Sequence, residues 1–140
     1  AYAALRELAA DGLITNDELA KMVIPITGRN EKDVVSPFAP KDRFEGLSVE
    51  HLEVRDAEDR FWQQFRADQD AAAFGANWAA FLRASVFGCL FGALTGGADD
   101  PRVPEFSDRL ERGTAQRLAA APEKMPITLT TVVLVKNRPL

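Results

Sequence analysis

The stretch ITLTTVVLVKN, residues 127–137, is β-branched nearly throughout and contains neither Gly nor Pro. Such a run favours a pleated strand, where branched side chains pack well and escape the crowding of a helical turn. Its centre, residues 132–135, is continuously apolar. That pattern predicts a strand buried on both faces, in a sheet covered by helices. A buried strand needs a partner, and FEGLSVEHLEVRD, residues 44–56, supplies one. Its alternation predicts a strand with Leu47, Val49 and His51 on one face and Ser48, Glu50 and Leu52 on the other.

Between the two strands the spacing is helical. Residues 56–69 carry Phe61, Trp62 and Phe65 on one side of a helix. Residues 70–95 predict a long, largely apolar helix with Phe74, Trp78, Phe81, Leu82, Val86, Phe87, Leu90 and Phe91, ended by Gly96-Gly97. ADDPRV is a loop, and residues 104–121 form an amphipathic helix with Phe106, Leu110 and Leu118, stopped by Pro122. Ahead of the first strand, residues 2–11 form a helix with Gly12 as its C-cap. Thr15-x-x-Glu18 is a capping box opening a second helix, whose apolar face is Leu19, Met22 and Val23. Pro25 ends that helix and Gly28 turns the chain. Asn30-x-x-Asp33 starts a further helical turn, closed by Pro37 and Pro40.

The order is helix, helix, strand, three helices, strand. Two strands do not make a stable sheet in water. The expected fold class is therefore α/β and helix-rich, the C-terminal fragment of a larger sheet domain with a helical cap inserted before the last strand. The chain also begins at Ala1 inside an amphipathic stretch with no initiator Met, which adds to the expectation of a fragment.

Composition narrows the function. The net charge is -4, and Lys and Arg are scattered singly, so no nucleic-acid or membrane partner is expected. One Cys, Cys89, excludes an internal disulfide and a thiolate metal site. One His, His51, leaves no multi-histidine zinc site and no choice of histidine for a Ser-His-Asp arrangement. The apolar run at residues 79–94 is broken by Arg83 and glycines and is short for a membrane span. No signal peptide or lipidation motif stands out, and a cytoplasmic protein is expected.

ALRELAADGLITNDELAKMVIPITGRNEKDV, residues 4–34, resembles the C-terminal half of the SABATH family, the salicylate- and jasmonate-type carboxyl methyltransferases that use S-adenosylmethionine. Gly12-Leu13-Ile14, Glu18-Leu19, Ile24-Pro25 and Asp33-Val34 carry the register. FEGLSVEHLEV, NWAAFLRASVFGCLFGALTG and MPITLTTVVLVKN resemble a core strand, the cap helix and the closing strand of that family. The likeness spans nearly the whole chain and is carried by order and spacing. It implies a Rossmann-like methyltransferase: residues 1–56 the tail of the core, residues 57–122 the helical acceptor cap, residues 123–140 the final core strand. It also implies that S-adenosylmethionine is bound by an N-terminal half that lies outside this sequence, which has no G-x-G-x-x-G. Thr27 stands where the family has an aromatic residue, and Phe87-Gly88 where it has Glu-Pro, so the methyl acceptor is left open.

The same resemblance places Thr27, Leu82, Ser85 and Ile127 at positions that line the acceptor pocket; Leu82 and Ile127 also read as core. Trp78 and Phe81 form either an aromatic wall for a flat acceptor or, as their helical spacing favours, core. Arg83, in the most apolar helix, pairs with an acid across the cap or holds an acceptor carboxylate. Cys89 reads as a buried thiol, and His51 as a hydrogen-bonded structural histidine, with a proton carrier as the alternative. Asp56, Glu58 and Asp59 read as helix N-terminal acids. The expected function is methyl transfer to a small carboxylate or heteroatom acceptor, by a homodimeric enzyme. The alternative is a non-enzymatic helical binding or oligomerisation module, with the apolar helix as its interface.

Overall fold

The computed structural model describes residues 2–39 and 43–136. Pro40 and Asn137, placed above after the third helix and in the last strand, lie outside the described residues. The elements in chain order are α1 (Tyr2–Ala10), α2 (Asn16–Lys21), α3 (Glu31–Val35), a 3-10 turn (Ser36–Phe38) and β1 (Leu47–Ala57). Then follow α4 (Arg60–Asp68), α5 (Ala71–Leu82), a π-helical turn (Arg83–Phe87), α6 (Gly88–Phe91), a 3-10 turn (Gly97–Asp99), α7 (Val103–Ala120) and β2 (Ile127–Lys136). The chain is thus mixed helix and sheet, and divides into two compact units: Ala1–Pro25 with Arg60–Met125, and Ile26–Asp59 with Pro126–Leu140.

In the helical unit, α1 ends where Gly12 adopts φ +76°, a left-handed C-cap that an L side chain resists. Thr15 then caps α2: the Glu18 amide donates to Thr15 Oγ1 at 3.1 Å, and the Thr15 amide donates to Glu18 Oε2 at 2.9 Å. α2 stops at Lys21, four residues before Pro25. The core gathers Ala4, Leu5 and Leu8 of α1, Ile14, Phe87, Leu90, Leu94, and Phe106 and Leu110 of α7. Each Leu or Phe removed from water contributes roughly 1.5–3 kcal/mol. α5 lies against α7 at Gly75, where an added Cβ would come 2.3 Å from the Ala115 carbonyl oxygen.

The apolar stretch expected as one helix over residues 70–95 is interrupted. Phe74, Gly75, Trp78 and Ala79 are buried on α5, and Phe87, Leu90 and Leu94 after it. An uninterrupted α-helix would extend the 74-78-82 row to Val86. The π-helical turn takes up an extra residue and brings Phe87 into the core instead. This geometry corrects the expectation for Cys89, which is exposed. It follows Phe87 by two residues, about 200° around the helix, and so falls opposite the inward row. Helical structure ends at Phe91, short of Gly96. The segment Ala71–Phe91 is long and apolar enough to cross a membrane by length and composition alone, and about a third of it is buried inside the protein.

In the strand unit, Asn30 and Asp33 form the second capping box, with both amide-to-oxygen distances 3.0 Å. Glu45 and Gly46 both have positive φ, and Phe44 and Leu47 exchange backbone hydrogen bonds of 2.8 Å across them, a tight two-residue turn. β1 pairs with β2 antiparallel, Leu47 opposite Lys136 through Ala57 opposite Ile127. A bulge at Glu50 leaves that residue without a partner, since Val49 faces Leu134 and His51 faces Val133. The extra residue reverses the alternation. Leu52 therefore joins Leu47 and Val49 on one face, while His51 moves to the other with Ser48, Glu53 and Arg55. The expected face assignment of His51 and Leu52 is corrected accordingly.

The burial expected for β2 is corrected too. Leu129, Val133, Leu134 and Val135 are 37–45% exposed. Among the described residues, a sheet of two strands with one short helix in its unit has too little chain to cover both faces.

Candidate functional site

The residues expected at an acceptor pocket fall in both units. Trp78 and Phe81 lie on α5, Leu82 at its end and Ser85 in the π-helical turn; Thr27 and Ile127 belong to the strand unit. Trp78 is buried, in edge-to-face contact with Phe61 (5.2 Å) and Phe81 (5.5 Å). Phe81 is half exposed. Around them Trp62, Phe65 and Phe74 lie with ring centroids 5.5–6.2 Å apart, so aromatic rings join α4 to α5. Leu82 packs against the helical core. Ser85 is exposed and donates its hydroxyl to the Phe81 carbonyl at 2.7 Å. Thr27 is exposed in a segment without regular structure, and Ile127 is half-buried opposite Ala57.

Arg83 pairs with acids of α7, as expected: Nη1 donates to Asp108 Oδ1 at 2.7 Å and Glu111 Oε2 at 2.6 Å. Glu111 first and Asp108 second raise its pKa above the usual arginine range. Asp108 and Glu111 also edge a shallow groove with Ala76, Arg112 and Ala115. A carboxylate ligand would have to displace two resident carboxylates there.

The strongest polar constellation escapes sequence reading. Glu18 is buried, and its carboxylate accepts from six donors in three segments. The Thr15 amide and hydroxyl donate to Oε2, the Thr95 amide and hydroxyl to Oε1 at 2.9 Å each, and Arg102 reaches both oxygens at 3.1 and 2.6 Å. Arg102 also donates to Asp100 through Nε at 2.9 Å and Nη2 at 2.8 Å, and to the Leu13 carbonyl at 3.1 Å. The Asp100 carboxylate further accepts from the Gly96 and Arg102 amides. Arg102, then the Thr15 amide, hold the Glu18 carboxyl far below the usual carboxylate range. Arg102, then the Gly96 amide, do the same to Asp100, and both acids push Arg102 upward. The sequence marks Glu18 as a capping residue, but nothing in it links position 18 to positions 95 and 102.

These locked groups bear on chemistry. A carboxylate ionised far below neutrality is a poor proton carrier near pH 7. The glycine-rich turn after α6 cannot cradle a cofactor anion either: its Thr95 and Gly96 amides already serve Glu18 and Asp100. Those two amides are therefore engaged within the fold. His51 is exposed, with Nε2 4.0 Å from Glu53 Oε2, not enclosed as a structural histidine would be. Asp56 lies within β1 rather than at a helix start, and accepts a 3.4 Å hydrogen bond from Thr128. Among the described residues, no three His, Cys, Asp or Glu side chains gather as metal ligands would. Comparison of the chain with protein-family models and with curated proteins finds no match.

Proposed function

We propose that this chain is the acceptor-side, C-terminal part of a cytoplasmic, S-adenosylmethionine-dependent class I methyltransferase of SABATH type, with residues 57–122 as its acceptor cap. One observation supports the reading. Two strands separated by the whole run of helices α4–α7 pair with each other antiparallel, so those helices form an insert between two strands of one sheet. The reaction class is methyl transfer to a carboxylate or heteroatom of a small acceptor. The chain's own contribution is binding and exclusion of water. The helical unit offers Trp78, Phe81, Leu82 and Ser85 for it. The alternative, a non-enzymatic binding or oligomerisation module, draws support from the exposed apolar side chains of β2.

Calorimetric titration with S-adenosylhomocysteine tests the assignment. The 140-residue chain should give no binding heat, and the parent protein with its preceding segment should bind. Heat from the chain alone, or none from the parent, overturns the reading.

A further inference from the structure

The two edges of the sheet differ in kind. β1 is blunted as exposed edges are: it carries the Glu50 bulge and the charged residues Glu53, Arg55 and Asp56. β2 has none of these devices. Its only charge is Lys136 at the end, it contains no Gly or Pro, and among the described residues no backbone group pairs with its second edge. An edge of this composition is a template for another strand.

We propose that, in this 140-residue chain, the free edge of β2 pairs antiparallel with β2 of a second copy, about a two-fold axis at Thr131. The strand's own sequence selects both occupant and register. A two-fold axis perpendicular to the sheet sets residues of the same face opposite one another. Centred on Thr131, it brings Leu129 opposite Val133 and Ile127 opposite Val135 of the second copy, and Thr131 opposite itself. One face thus holds apolar pairs around a Thr–Thr pair, both favourable across strands. Lys136 falls beyond the overlap, so no like charges meet. Centring on Val132 instead would set Thr131 against Val133 and Thr128 against Lys136. The result is a four-stranded sheet with the two charged β1 strands outermost, which meets the minimum that a lone pair of strands fails. The inference rests on the strand edge and goes beyond methyl transfer, so failure of the cofactor titration leaves it standing.

Sedimentation equilibrium and amide exchange on the chain test it. A dimer is expected, with the β2 amides not donated to β1 becoming protected as concentration rises. Leu129→Glu places a carboxylate opposite Arg55 within its own sheet, and Val133→Lys places an ammonium opposite His51. Each variant alone should weaken dimerisation about tenfold. Mixing the two should restore it, because position 129 of one copy meets position 133 of the other. A monomer at all concentrations overturns the proposal. So does a monomer with those amides already protected, which would mean that the edge is covered by its own chain. A dimer indifferent to either substitution, or a mixture that fails to reassociate, overturns it as well. Should a variant fail to fold, the exchange pattern of the unsubstituted chain still decides.

Discussion

Replacing Arg102 by Met tests the buried ion network most directly. Arg102 spans Glu18 and Asp100 and donates five side-chain hydrogen bonds, one of them to the Leu13 carbonyl. Met keeps the length of the apolar stem and removes the guanidinium fork. Glu18, only 6% exposed at its side chain, would stay buried with its four threonine donors and no cation. Breaking a buried pair by removing one partner costs about 3–5 kcal/mol. The remaining donors, and an arginine side chain that is 31% exposed, argue for the lower end, about 3 kcal/mol. For a chain of this size that lowers Tm by roughly 10 °C. The pH profile gives a second readout. In the unsubstituted protein the Glu18 pKa is depressed, so its stabilisation is complete above the ordinary glutamate value, about 4.3, and is lost as pH falls toward the folded value. Without Arg102 the folded value rises, and the acid-side slope of stability flattens. Urea titrations at several pH values measure both effects. A loss below about 1 kcal/mol, the scale of an exposed ion pair, or an unchanged acid slope, would refute the network as a latch between α2 and the turn before α7.

Gly75→Ala gains helix propensity but places a Cβ 2.3 Å from the Ala115 carbonyl oxygen. The α5–α7 contact should open at a net cost of about 1–3 kcal/mol, read from denaturant midpoints. Arg83→Ala removes two ion pairs at a side chain 40% exposed and should cost less than about 1 kcal/mol, because such pairs are screened by solvent; a larger loss in thermal denaturation would show a structural role for Arg83. Phe106→Ala, at a fully buried ring, should cost about 3–5 kcal/mol by the same measurement. Cys89 should react with a thiol reagent in the folded protein at nearly the rate of the unfolded chain; a rate slowed by orders of magnitude would contradict its exposed position.

Local signals in the sequence proved the most reliable. Both capping boxes form as the i, i+3 pairs of Thr15 with Glu18 and Asn30 with Asp33 dictate, because donor and acceptor lie within one turn of chain. The two strands follow from their β-branched and alternating residues, and the breaks after α1 and α2 from Gly12 and Pro25, whereas α4 and α5 part at Gln69, whose φ is +57°. The tertiary structure decided what depends on distant partners. Glu18 answers to Arg102, 84 residues away, and no local pattern encodes that meeting. The bulge at Glu50 exists only relative to β2, and it alone exchanges the faces of His51 and Leu52. The π-helical turn interrupts a stretch whose composition reads as uniform helix, and thereby turns Phe87 inward and Cys89 outward. An apolar run fixes a preference for burial. Whether β2 is buried depends on how much chain lies beside it, and among the described residues of its own unit that is one strand and a short helix.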